Sequence, residues 1–130
     1  MLRIHPPITR KDFDMKTAIV GYPRIGAHRE LKFASEQYFR GACTEAELQE
    51  TAKALRLANL TQQKESGLDW IPSNDFSFYD GILDTAFLLN AVPKRYRELG
   101  LAPLDTYFAA ARGYQGNKGD VKALAMKKWF

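Results

Sequence analysis

The sequence has little of what disulfide and metal chemistry require. Its 130 residues include one cysteine, Cys43, and two histidines, His5 and His28. One cysteine excludes an internal disulfide and a cysteine-rich zinc site, and a histidine-based metal site would need both imidazoles together with carboxylates. No apolar run approaches the about 20 residues of a membrane helix, and the N-terminal residues lack the apolar core of a secretory signal. We expect a cytoplasmic protein without membrane association and without a metal site.

The composition is that of one cored globular domain. Hydrophobic residues make up 45% of the chain and charged residues 26%, which excludes disorder. The net charge of +4 is uneven, with −1 over residues 1–93 and +5 over residues 94–130. Such a basic segment faces an anion or water. No helix-turn-helix, zinc-finger or ribonucleoprotein pattern accompanies it, so nucleic acid is not the partner that we expect.

Short apolar segments alternate with longer helical patterns. Residues 17–22 and 68–72 are typical of buried strands. Helices are predicted from Arg29 to Gly41, from Thr44 to Gly67 with a Thr44–Glu47 capping box, after Ser77 as far as Val92-Pro93, over residues 104–111, and over residues 121–130 with Asp120 as cap. Residues 113–119 are predicted to form a loop because they are rich in glycine.

This order predicts an α/β fold in which the two strands pair in parallel. Two strands are too few for a sheet or barrel of this kind, and the last predicted helix stops at Phe130 without a cap. We therefore expect residues 15–130 to be part of a larger domain. Residues 1–14 precede the first predicted strand, and we expect them to be a disordered leader or extension. The apolar faces that carry Leu48, Leu55, Leu83 and Phe87 are then expected to be exposed and to seek a second copy or the missing barrel.

The loop after the first predicted strand, residues 21–26, is the main candidate for a binding site. Its two glycines do not match the phosphate-binding or dinucleotide-binding fingerprints, which need Lys-Ser/Thr or Gly-x-Gly at fixed positions. Arg24, Arg29 and Lys32 surround the start of the following helix, where a carboxylate or phosphate is stabilised. The alternative is a solvated turn with surface cations.

Other chemistry-bearing residues have simpler interpretations. Asp75, Asp80 and Asp84 flank an aromatic cluster and could act as acid and base, but their spacing favours helix capping and surface positions. Cys43 follows a helix end that disfavours a thiolate, so we expect it to be inert. Tyr96 and Trp129, each beside cations, could stack on a flat ligand, although amphipathic packing is the commoner explanation.

Ordered sequence blocks from Thr17 to Phe130 resemble the N-terminal part of the cobalamin-independent methionine synthases. The blocks are GYPRIGAHRELK at 21–32, EQYFRG at 36–41, QQK at 62–64, DWIP at 69–72, DF at 75–76, YD at 79–80, LLN at 88–90, VP at 92–93, DTYF at 105–108, ARG at 111–113 and MKKWF at 126–130. Their number and order make chance similarity implausible.

The resemblance implies the helix-rich opening portion of a (βα)8 TIM-type barrel. The family transfers a methyl group from 5-methyltetrahydropteroyltriglutamate to homocysteine, which is activated by zinc in the C-terminal barrel. The resemblance implies that the folate polyglutamate tail is bound by Arg29, Glu30, Leu31, Lys32 and Lys128. Arg24, which was identified from its place in the loop, is a further candidate for an anion contact. No catalytic or zinc-binding residue is implied for this chain, so we expect it to be inactive alone. The alternative is a stand-alone, non-catalytic module that binds anions or a partner.

Overall fold

The computed structural model describes residues 15–124, which form five helices and one β-hairpin. The elements are α1 (Glu30–Phe39), α2 (Glu45–Glu65), α3 (Gly81–Leu88), α4 (Lys94–Arg97), α5 (Pro103–Arg112), β1 (Tyr114–Gly116) and β2 (Gly119–Val121). Strand β1 pairs with β2 antiparallel, with Tyr114 opposite Val121. Helices and a short sheet are compatible with the predicted α/β class.

Local signals set the helix boundaries. Before α2, the Thr44 hydroxyl accepts from the Glu47 N–H at 3.3 Å and the Glu47 carboxylate accepts from the Thr44 N–H at 2.7 Å, so the predicted capping box is confirmed. Helices α1 and α2 are followed by Gly41 and Gly67 at φ 69° and 72°, a region that glycine enters without a steric penalty.

The two predicted strands are reduced to a single parallel bridge between Ala18 and Trp70. The Trp70 N–H donates to the Thr17 carbonyl at 3.0 Å. The Asp69 carboxylate accepts from the N–H and the hydroxyl of Thr17 at 2.8 and 2.9 Å. The parallel direction is as predicted, but the strand lengths were wrong, because an isolated pair of short strands is only marginally stable and a parallel pair is less stable per residue than an antiparallel one.

The core lies around α5, whose residues Tyr107 to Ala111 are all buried. Aromatic edges meet there, and the Phe108 ring lies 4.8 Å from that of Phe39 and 5.5 Å from that of Tyr107. The other buried members of this cluster are Leu48, Leu83, Val92, Tyr96, Leu99 and Leu104. Helix α5 therefore connects the other helices to the hairpin.

The C-terminal part of the prediction was wrong in three places. Residues 113–119 were predicted as a loop and 121 onward as a helix, but a hairpin covers Tyr114–Val121 with Asp120 inside β2. Helix α3 begins later than predicted, at Gly81, after its cap Asp80, whose carboxylate accepts from the Leu83 N–H at 2.7 Å. Helix α4 had not been predicted. The expectations for residues 1–14 and 125–130 lie outside the described residues.

The exposed apolar surface also differs from the expected one. Leu48 and Leu83 are buried and Phe87 is half-buried in the cluster around α5, and Leu55 is half-buried beside Gly26. The large apolar side chains that do face solvent include Val20 and Trp70 at the parallel bridge, and Leu88 and Leu89 at the end of α3. Within residues 15–124, no helix combines the length and hydropathy of a membrane span.

Candidate functional site

The loop from Gly21 to Gly26 is fixed against residues 75–79. The Tyr22 N–H donates to the Asp75 carboxylate at 2.9 Å. The Arg24 guanidinium donates to the carbonyls of Phe78 and Tyr79 at 3.1 and 2.6 Å. These bonds hold Arg24 in one orientation without neutralising its charge, because carbonyls carry no net charge.

A tight turn connects this loop to α1. Gly26 adopts φ 86°, and a Cβ there would lie 1.9 Å from the Glu30 Oε2 atom. The same Glu30 oxygen accepts from the His28 N–H at 3.0 Å, so Glu30 braces the turn. Arg29, the residue before the helix, is also left-handed at φ 63° and is exposed. Among the described residues, the N–H of Lys32 in the first turn has no acceptor.

Beside this turn lies a cleft of about 310 Å³, which we call the α1 cleft. Its charged lining residues are three cations, Arg24, Lys32 and Arg112, and one acid, Glu36. Lys32 and Glu36 form a half-exposed pair at 3.8 Å, which is a weak interaction in water. The lining therefore has a net charge of +2, and a negatively charged group is favoured there.

The floor and one wall of the α1 cleft are apolar. The apolar lining comprises Ile25, Leu31, Phe39, Phe78, Tyr79 and Phe108. Leu31 is fully buried and belongs to the floor. A second, larger cavity of about 1060 Å³ lies on the other side of Phe39, Phe108 and Arg112, which line both spaces. Cations above an apolar floor suit a ligand that has carboxylates on an aliphatic or aromatic body.

A buried hydrogen-bond pair lies beneath the Arg24 loop. The Tyr107 hydroxyl donates to the Asp84 carboxylate at 2.6 Å and accepts from the Tyr79 N–H at 3.0 Å. Burial raises the pKa of Asp84; the Tyr107 hydrogen bond opposes this shift, Asp80 adds to it, and Arg24 opposes it. Burial and the neighbouring Asp84 raise the pKa of Tyr107, so this hydroxyl stays protonated. The pair thus supports the backbone to which Arg24 binds.

Asp84 is expected to make the chain less stable as the pH rises. Because its pKa is raised on folding, the folded state binds more protons than the unfolded state between the unfolded value near 3.8 and the higher folded value. The contribution of Asp84 is therefore lost as the pH rises through that window. Asp84→Asn keeps an acceptor for Tyr107 and removes the charge, so the Tm of this variant relative to the unmodified chain should increase over the same pH interval. A constant Tm difference between pH 3.5 and 7 would contradict this.

Several other candidate residues have structural partners. The helix-capping interpretation is confirmed for Asp80, and Asp75 binds the Tyr22 N–H. Cys43 donates its thiol to the Ala34 carbonyl at 3.6 Å. Tyr96 is fully buried, with its hydroxyl on the Lys122 carbonyl at 2.7 Å, which fits packing rather than stacking on a ligand. Within residues 15–124, no three His, Cys, Asp or Glu side chains are grouped as a metal site would need.

The structure thus brings Arg24, Leu31 and Lys32 together in the α1 cleft, whereas Arg29 and Glu30 lie at the start of α1 and do not line it. Lys128 lies outside the described residues. Arg112 was not among the candidates of the sequence analysis. The ARG block at 111–113 contains it, but only the packing of α5 against α1 shows that it shares a cavity with Lys32.

Comparison with known proteins finds relatives that belong to one family and carry the same name. The family model for the N-terminal domain of cobalamin-independent synthases matches residues 16–130. A 5-methyltetrahydropteroyltriglutamate–homocysteine methyltransferase of Campylobacter jejuni subsp. doylei is 59% identical over 116 residues, which are 89% of this chain and 15% of that protein. Proteins of the same name from Streptococcus suis and Lactococcus lactis subsp. cremoris are both 57% identical over 89% of this chain and cover 16% and 15% of their own length. The chain thus spans about one sixth of the relatives that it matches.

Proposed function

This chain belongs to the family of cobalamin-independent methionine synthases, as part of their N-terminal domain, and from this we propose that its α1 cleft helps to bind the polyglutamate tail of 5-methyltetrahydropteroyltriglutamate. In a complete protein this substrate would donate its methyl group to homocysteine. The relatives carry the names of both substrates. A triglutamate tail is a chain of carboxylates joined through methylene groups, so it needs cations along an apolar surface.

The charge of the α1 cleft is the observation that carries the proposal. Lys32 and Arg24 both line it, Lys32 from the first turn of α1 and Arg24 from the preceding loop. Arg24 is already held by two carbonyls, which lowers the entropy that is lost on binding a carboxylate. Arg29 and the positive end of the α1 dipole add to the field.

The five residues that the family resemblance implies would then have different roles. Arg29, Lys32 and Lys128 would contact tail carboxylates through charge-assisted hydrogen bonds. Leu31 would form the floor against which the methylene groups lie. Glu30 would act indirectly, since its carboxylate holds the turn at Gly26 and would repel the tail in direct contact.

We also propose that the chain forms the opening part of a (βα)8 barrel. The parallel bridge between Ala18 and Trp70 supports this, because α1 and α2 connect its two sides as a crossover requires. The exposed Val20 and Trp70 would then pack against further strands. The partner of these side chains would be the remainder of the barrel, and the family's zinc site would lie outside this segment; no step proposed for residues 15–124 involves a metal.

The test is a comparison of tail lengths. We expect the 130-residue chain to bind pteroyltriglutamate more tightly than pteroylmonoglutamate in titration calorimetry. Arg29→Ala and Lys32→Ala should each weaken triglutamate binding by about two- to tenfold, because contacts of exposed cations contribute little more than 1 kcal/mol. Monoglutamate binding should change less.

Lys53→Ala is the matched control, since Lys53 is an exposed lysine of α2 with its own acid partner, Glu50. Equal losses for both tail lengths, or an equal loss in Lys53→Ala, would contradict the assignment. The matched segment can also replace its counterpart in the Campylobacter jejuni relative. There, Lys32→Ala should raise KM for the triglutamate substrate and leave kcat unchanged, as expected for uniform binding.

A further inference from the structure

We propose that Arg112 is an additional carboxylate-binding residue of the α1 cleft, held for that role on the face of Phe39. This inference rests on the proposed function, because it concerns the same anionic ligand. Arg112 comes from α5, a different helix from the one that carries Lys32, and it lies at the boundary between the two cavities. Arg112 would extend the anion site from the start of α1 to the end of α5.

The placement of the guanidinium is the first argument. Its central carbon lies over the Phe39 ring, 3.8 Å from the ring centroid. The Phe39 ring is in turn fixed edge-on against buried Phe108, with the centroids 4.8 Å apart and the planes at 89°. A guanidinium on a ring face keeps its N–H donors, which lie at its edge, available to acceptors. Arg112 is therefore oriented by an aromatic surface.

The absence of an acid partner is the second argument. Among the ion pairs within residues 15–124, none includes Arg112. The acids that line the two cavities with Arg112 are Glu36, Asp105 and Asp120. Glu36 pairs with Lys32 and Arg40, Asp105 accepts from the Tyr38 hydroxyl at 2.6 Å, and none of the three forms an ion pair with Arg112. Other cations of the surface, such as Lys53 and Lys94, have partners one helical turn away. Arg112 thus retains a full charge and a planar set of donors.

The shared boundary is the third argument. Phe39, Phe108 and Arg112 line both the α1 cleft and the larger cavity. A ligand with carboxylates along its length could place one beside Lys32 and the next beside Arg112. Its connecting methylene groups would then lie over Phe39. A ligand with a single glutamate has fewer carboxylates to distribute, so Arg112 would favour longer tails.

The experiment measures the affinity of the 130-residue chain for pteroyltriglutamate and pteroylmonoglutamate. We expect Arg112→Gln to weaken triglutamate binding about tenfold, since a charge-assisted hydrogen bond contributes about that factor, and monoglutamate binding less than threefold. Arg112→Lys keeps the charge but loses the planar fork and the stacking, so it should restore only part of the affinity. Phe39→Leu should also weaken binding, because it removes the aromatic surface.

Arg97→Gln is the charge-matched control, because Arg97 is exposed on α4 and lines neither cavity. It should change triglutamate affinity by less than twofold. Thermal unfolding of each variant identifies a purely structural effect, which would lower both affinities together. If the unmodified chain binds no triglutamate, the proposed function fails and this inference with it. If the unmodified chain binds and Arg112→Gln binds equally well, only the role of Arg112 is refuted.

Discussion

Replacing Tyr96 with alanine is expected to lower the free energy of unfolding by about 3–5 kcal/mol, the cost of removing a large aromatic side chain from a packed core. Tyr96 is fully buried, and its hydroxyl donates to the Lys122 carbonyl at 2.7 Å. The loss would be a large share of the about 5–15 kcal/mol that stabilises a small domain. Urea unfolding followed by circular dichroism measures it.

Two further variants serve as comparisons: one removes only the hydroxyl of Tyr96, and the other shortens an exposed side chain. Tyr96→Phe keeps the ring and removes two hydrogen bonds, the one to the Lys122 carbonyl and the one from the Arg95 guanidinium, so its cost should be about 1–3 kcal/mol. Leu88→Ala removes an apolar side chain that is 78% exposed and should stay within about 0.5 kcal/mol of the unmodified chain. If Tyr96→Ala were no more harmful than Leu88→Ala, α4 would not be packed into the core as described.

Replacing Gly26 with alanine is expected to affect both stability and binding. The new Cβ would lie 1.9 Å from the Glu30 Oε2 atom and 2.9 Å from the Leu55 Cδ2 atom, in a backbone conformation with φ 86°. The combined strain should cost about 2–3 kcal/mol. The displaced Glu30 would release the turn before α1, so triglutamate affinity should fall by about tenfold.

Gly41→Ala is the matched comparison, because its φ is 69° but no atom lies within 4 Å of the position of its Cβ. Only the left-handed penalty of about 1 kcal/mol should appear there, with unchanged affinity. Combining Gly26→Ala with Glu30→Ala should recover part of the lost stability, since the closest contact disappears. Equal unfolding free energies for the two glycine variants would show that the turn is not crowded.

Sequence reasoning succeeded where the cause is local. The capping box at Thr44 and Glu47 and the glycines Gly41 and Gly67 act within one turn of the chain, so their effect on α1 and α2 could be predicted. The sequence likewise predicted that Arg24, Arg29 and Lys32 lie around the start of α1, and the structure has them there. These predictions did not depend on what packs against the helices.

Sequence reasoning failed where the local structure depends on contacts with distant segments of the chain. A strand is stable only with paired neighbours, and residues 17–22 have one bridge, to Trp70. The hairpin was overlooked although Asn117 and Lys118 form a two-residue connection between its strands, a spacing that indicates a hairpin. Arg112 could not be selected because its position beside Lys32 depends on how α5 packs against α1.

The hydrogen bonds between residues 17–24 and residues 69–79 affect the order in which parts of the chain fold. Its contacts join residues 52, 53, 54 and 55 positions apart: Thr17 with Asp69, Tyr22 with Asp75, and Arg24 with the carbonyls of Phe78 and Tyr79. The first of these contacts to form carries nearly all of the entropic cost of closing one long loop, and each later contact adds almost no further cost. The Arg24 loop should therefore form and open as one cooperative unit, so that Arg24 joins the other cations of the α1 cleft in a single step.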